Sequence, residues 1–137
     1  MKVRERGRSF DMAVIEYQDL PLASRDEHWD ADAAEKRVRQ WAGAEDKPNE
    51  RYRQAFVWYD ETAPDRFGSY KLPIADVIGG TLKAVPRAVI AAAAVVDGAR
   101  GGVKIPPQDM DGVKHHLALY YKKMGDEPPW ERKKEKD

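Results

Sequence analysis

Residues 70–96 read YKLPIADVIGGTLKAVPRAVIAAAAVV. Two β-favouring runs, YKLPIADVI and TLKAV, flank Gly79-Gly80. A two-residue hairpin turn needs positive φ at its centre, which glycine adopts without steric penalty, so the stretch predicts a tight antiparallel hairpin. Pro73 has no N–H to give to a ladder, so the first run is an edge strand or starts after it. Pro86 suits the first turn of a helix. The helix expected there runs through RAVIAAAAVVDG to Gly98. It is apolar on nearly every face, so heavy burial is expected.

Downstream, a last helix is expected from about Pro107 through QDMDGVKHHLALYYKKMG to Gly125. Its buried face should carry Met110, Val113, Leu117, Tyr120 or Tyr121, and Met124, while Gly112 weakens its first turns by roughly 1 kcal/mol relative to alanine. Upstream, WDADAAEKRVRQWAG (29–43) is the clearest helix. Asp30 can cap it, Ala34, Val38 and Trp41 form one apolar stripe, and Gly43 can end it in the left-handed conformation. RQAFVWYD (53–60) has the aromatic and β-branched composition of a buried strand. FDMAVIEY (10–17) reads as a further strand, with Phe10, Met12, Val14 and Tyr17 inward. Together these segments predict a single α+β domain over residues 10–125. Its small, mainly antiparallel sheet would be packed by three helices at about 31–42, 86–97 and 107–124. Residues 1–9 read as a flexible basic arm and DEPPWERKKEKD (126–137), with two prolines and a charge run, as a flexible charged tail.

The 137 residues are one domain's worth. Hydrophobic residues make up 42% and charged residues 35%, which predicts a globular chain with a wet surface. Lys+Arg and Asp+Glu both total 24, for a formal net charge of zero, and that balance counts against a dedicated non-specific DNA binder. With no cysteine there are no disulfides, thiolate metal sites or cysteine nucleophiles. The N-terminus MKVRERGRSF is charged where a signal peptide needs an apolar stretch, and the longest apolar run covers only residues 88–96. A membrane helix needs about twenty such residues. An intracellular, soluble protein with no membrane partner is expected.

Several patterns bear on chemistry. VVDGARGGVKIPPQ (95–108) has the glycines of a phosphate cradle, but Gly98, Gly101 and Gly102 follow a helix instead of preceding one. A cradle uses free N–H groups at a helix N-terminus, so helix exit plus turn is the reading preferred here. His115 and His116 are adjacent, lie about 100° apart on a helix, and cannot easily share one metal. An exposed His115 and a boundary His116 are expected. SRDEHWDAD (24–32) is rich in carboxylates but lacks the glycine and closing glutamate of a calcium loop, so capping and solubility explain it. No serine stands in a nucleophile-elbow context. The long ARGGVKIPP connection between the last two helices leaves open a helix-extension-helix nucleic-acid module. RYRQAFVWYD interleaves Arg51, Arg53, Phe56, Trp58 and Tyr59. If exposed on a sheet, these would make a base-stacking platform with phosphate contacts. Burial in the core is the competing reading, with Phe56 and Trp58 on one face and Val57 and Tyr59 on the other.

Taken together, LPLASRDEHWDADAAEKRVRQWAG, YRQAFVWYD, FGSYKLPIADVIGGTLKAVPRAVIAAAAVV, GARGGVKIP and VKHHLALYYKKMGDEPPW resemble a small domain of tailed-bacteriophage and prophage head-morphogenesis proteins. That domain stands alone or lies near the capsid-maturation protease. The resemblance covers about residues 20–130. It implies a phage accessory protein and carries no catalytic residues; the protease's serine and histidine motifs are not matched here. The expectation is a non-enzymatic protein, without cofactor or metal, that works through protein–protein contacts, with a phage head component as partner. The alternative is a nucleic-acid-binding accessory protein using Arg51, Arg53, Trp58, Arg100 and Lys104.

Overall fold

The computed structural model describes residues 13–98 and 104–136, with side chains to residue 132. Among these residues the chain forms one α+β domain. In order, the elements are α1 (Ala31–Ala42), α2 (Glu50–Arg53), β1 (Phe56–Tyr59), a 3-10 turn (Phe67–Ser69), β2 (Tyr70–Pro73), β3 (Ala75–Ile78), β4 (Thr81–Ala84), α3 (Pro86–Val96), α4 (Pro107–Met124) and α5 (Pro129–Lys136).

The hairpin forms as its glycines require. Gly79 and Gly80 have φ of 61° and 83°, and Ile78 pairs with Thr81 across the two-residue loop. The run before it splits in two. Tyr70–Pro73 pairs antiparallel with β1, placing Pro73 opposite Phe56, and Ala75–Ile78 pairs with β4. The break falls at Ile74, just after Pro73 and two residues after Leu72, a buried residue with φ of 62°. A proline disfavours the right-handed helical region in the residue before it. The left-handed conformation at Leu72 strains a branched side chain, and its burial offsets that strain.

Each two-stranded sheet gains a short third partner from the N-terminal segment. Val14 bridges Trp58 in antiparallel sense, with Ile15 N–H donating to the Val57 carbonyl at 2.8 Å, while Leu22 bridges Ala84 in parallel sense. The strand expected over 10–17 is thus reduced to a bridge, and its inward set shifts by one residue. Ala13 and Ile15 are buried, whereas Val14 and Tyr17 are only half-buried. A one-residue shift of register exchanges the two faces of an extended segment. Here the register is set by the Ile15 backbone pairing with β1. Phe10, Met12 and the basic arm lie outside the described residues.

The helices cover these sheets. Asp30 caps α1 by accepting from Ala33 N–H, and Gly43 closes it at φ 68°. Its buried stripe is Ala34, Val38 and Ala42; Trp41 lies at the edge, half-buried, with the Arg51 guanidinium 4.0 Å above its ring. Arg37 ties α1 to the hairpin through two 2.8 Å hydrogen bonds to the buried Asp76 carboxylate. α3 packs on α4 and β2, and α4 also lies against β1. Val113, Leu117, Tyr120, Tyr121 and Met124 of α4 are all buried. A Cβ on Gly112 would stand 3.2 Å from Val14, so a side chain at this helix position would require Val14 to shift by a few tenths of an ångström. Heavy burial on nearly every face is the expectation for α3 from its composition, and the structure departs from it. It keeps Arg87, Ile90, Ala91 and Ala94 exposed.

The segment expected as a charged tail carries α5. Pro129 opens it, where a fixed φ and a missing N–H cost least. Trp130 packs against the core, with the Lys114 ammonium 5.6 Å from its ring.

Candidate functional site

Of the residues proposed for nucleic-acid binding, Trp58 is covered and not on the surface. Trp58 is 6% exposed, and its Nε1–H donates to Asp109 Oδ2 at 2.9 Å. Phe56 and Tyr59 are equally covered, so both faces of β1 are buried and neither offers a ring to a base. Arg51 is exposed and occupied with Trp41. Lys104 is exposed ahead of α4, and Arg100 lies outside the described residues. At the helix exit Gly98 has φ of 106°, as a left-handed stop requires. Gly101 and Gly102 are outside the described residues.

What the fold does assemble is an open cleft of about 820 Å³. One wall is the N-terminal segment from Val14 to Gln18. A second comes from α2 and the end of β1, with Glu50, Arg53, Gln54 and Tyr59. The third is the first two turns and more of α4, from Gln108 to His116. Asn49 builds the second wall: its side chain accepts from Tyr52 N–H at 2.9 Å and donates to the Ala42 carbonyl at 2.8 Å, starting α2 directly after α1. Tyr52 then anchors α2 in an aromatic cluster with Phe56, Phe67 and Tyr70, its hydroxyl donating to Glu35 at 3.0 Å.

Two groups in the cleft are chemically distinctive. His116 is 4% exposed, and its Nδ1 lies 2.6 Å from the Ile15 carbonyl oxygen. A carbonyl only accepts, so Nδ1 carries the proton in this contact. Burial pulls the imidazole down to about 4, against the opposing effect of that hydrogen bond and with a small push from His115. The ring packs edge-on to Tyr17. His116 therefore fastens the N-terminal wall as a neutral group, and His115 is exposed beside it. Arg53 is the second. Its guanidinium lies 4.6 Å over the Tyr59 ring and donates to the Tyr70 hydroxyl at 3.3 Å. Its buried Nε has no acceptor.

The cleft was not legible in the sequence because its walls lie about a hundred residues apart. The sequence pattern marks Arg53 only as a phosphate contact beside an exposed Trp58. Among the described residues no group of three or more His, Asp or Glu side chains could hold a metal ion, and no helix is long and apolar enough to cross a membrane. Compared with family models, curated proteins and solved structures, the chain has no match in any of the three.

Proposed function

We propose that this chain is a non-enzymatic accessory protein of a tailed phage or prophage that acts through protein–protein contacts in head assembly, in the host cytoplasm or on the virion. The observation that carries the contact reading is the outer face of α3. Ile90 is 46% exposed and is the one large hydrophobic residue so exposed among the described residues. It shares that face with exposed Ala91 and Ala94, next to Arg87. A helix of this composition gains about 25 cal/mol for every Å² of apolar surface removed from water. Leaving Ile90 out therefore favours a protein surface that covers it. The phage assignment is supported by the resemblance in sequence pattern alone. The nucleic-acid alternative is less well supported, because the ring it would stack on is covered and the chain carries no net positive charge.

The test is made in the parent phage or prophage. Deleting the gene should lower the yield of intact heads, and Ile90→Glu should reproduce the loss while the purified variant keeps its thermal midpoint. Normal head yield after both changes overturns the reading. Saturable DNA binding by the purified chain that weakens steeply with salt would favour the alternative.

A further inference from the structure

We propose that the cleft at Arg53 is a carboxylate-recognition site, which takes an acidic side chain or the C-terminal carboxylate of a partner polypeptide. The proposal rests on the reading that the chain works through protein contacts, but it concerns a different surface from the α3 face.

Arg53 differs from its neighbours in how its charge is met. Arg37 is held by Asp76, Arg25 by Asp126, and Arg39 by Glu35. Arg51 is exposed to water over Trp41. Arg53 is half-buried, has no ion-pair partner among the described residues, and leaves Nε without an acceptor. A guanidinium withdrawn from water without a counter-charge is costly, and a planar carboxylate is the group that its fork of donors fits best. The side chain is also held in place beforehand. Tyr59 lies beneath it at 4.6 Å, and Tyr70 fixes one terminal nitrogen through its hydroxyl. Little side-chain entropy is then lost on binding.

The rest of the lining narrows the ligand. Gln54 and Gln108 present side-chain amides to the same cleft. Side-chain amides match the donors and acceptors of a peptide chain. Glu16, Glu50 and Asp109 also line the cleft. They would repel a polyanion such as nucleic acid, whereas one carboxylate on an otherwise neutral or basic peptide meets Arg53 and leaves its cationic neighbours to the glutamates. A volume of about 820 Å³ accepts a few residues of chain, not a folded domain.

The experiment is a titration of the full-length chain followed by NMR at the Arg53 Nε–H and Trp58 Nε1–H resonances. Three glycine-based tripeptides blocked at the N-terminus serve as probes. One has a free C-terminal carboxylate, one is amidated, and one is amidated with a central glutamate. Inorganic phosphate and a short thymidine oligonucleotide are run alongside. The expected result is saturable millimolar or tighter binding of at least one carboxylate peptide and none of the fully amidated one. The peptide that binds identifies a terminus or a side chain as the source. Arg53→Gln should weaken that binding at least about tenfold, Arg53→Lys should weaken it less, and Arg51→Gln should leave it unchanged. If Arg53→Gln does not fold, Arg53→Lys and the wild-type Arg53 resonance still decide. Absence of shifts with both carboxylate peptides, equal binding of the amidated peptide, tighter binding of phosphate or oligonucleotide, or full binding by Arg53→Gln overturns the proposal. The titration needs no phage particle. Carboxylate binding with normal head yield after gene deletion would therefore overturn the assembly reading alone, and the reverse pattern would overturn the site alone.

Discussion

Trp58 and Asp109 stand 51 positions apart and meet through one indole N–H, where both side chains are buried. Trp58→Phe keeps most of the apolar volume and removes only the donor. The buried carboxylate would then lose a partner, so the substitution should cost about 1–3 kcal/mol in chemical denaturation, and a change near zero would show that water replaces the indole. His116 makes a prediction about pH. Its unfolded value is the ordinary 6.5 and its folded value is about 4, so the unfolded chain binds the proton first as pH falls. The stability it protects is complete above about pH 6.5 and is lost as pH drops toward 4, by an amount on the order of 3 kcal/mol. Denaturation of wild type and His116→Gln at pH 7.5 and 4.5 checks the sign, since the variant should lose less over this interval. The adjacent histidines could be read as unsuited to sharing a metal. That one of them holds the backbone of Ile15 could not, because nothing in the local pattern marks residue 15 as its neighbour.

Elements were legible where local chemistry decides them. Pro86, Pro107, Asp30, Gly43 and Gly125 mark helix ends, and the three long helices begin and end within a residue of the expected positions. Gly98 belongs with these: at φ 106° it has open space around a would-be Cβ but a backbone that other residues adopt with strain. Gly98→Ala should therefore destabilise by roughly 1 kcal/mol or more, measured as a shift in denaturation midpoint. Elements set by packing were not legible. The α2 turn lies in a segment read partly as loop and partly as strand, and it is held by Asn49 and the burial of Tyr52. Trp41 is the clearest case of the stripe misplacing a residue. Helical spacing allows either Trp41 or Ala42 to follow Val38 inward, and the structure turns Ala42 in. Trp41→Ala should accordingly cost less than the roughly 3–5 kcal/mol of a fully buried tryptophan. A loss within that range would mean that the stacking with Arg51 contributes as much as core burial.

At the scale of the molecule, the described C-terminus divides into an anchor and an extension. Trp130 packs against the core, while Glu131 and Arg132 are exposed. Removing residues 131–137 should leave the thermal midpoint essentially unmoved, whereas Trp130→Ala in the full chain should lower it; the reverse order would place the anchor in the charged turns. The fold class follows from hairpin and helix signals that are all local. The cleft depends on the pairing of the first described residues with the last long helix, and no short window of sequence contains both partners.

That pairing also has a consequence for how the chain is made. The Ile15 carbonyl waits for a histidine synthesised 101 positions later, Leu20 N–H waits for the Tyr120 hydroxyl, and the Leu20 carbonyl waits for Lys123. On a ribosome adding about 5–20 residues per second, the N-terminal segment is without these α4 contacts for roughly 5–20 s. During that interval β1 lacks a fixed neighbour on one edge, and an unpaired edge invites strands from other nascent chains. Translation rate and chaperone supply should therefore govern the soluble yield of this protein more than its final stability does. Chains arrested before α4 emerges should be the ones that aggregate.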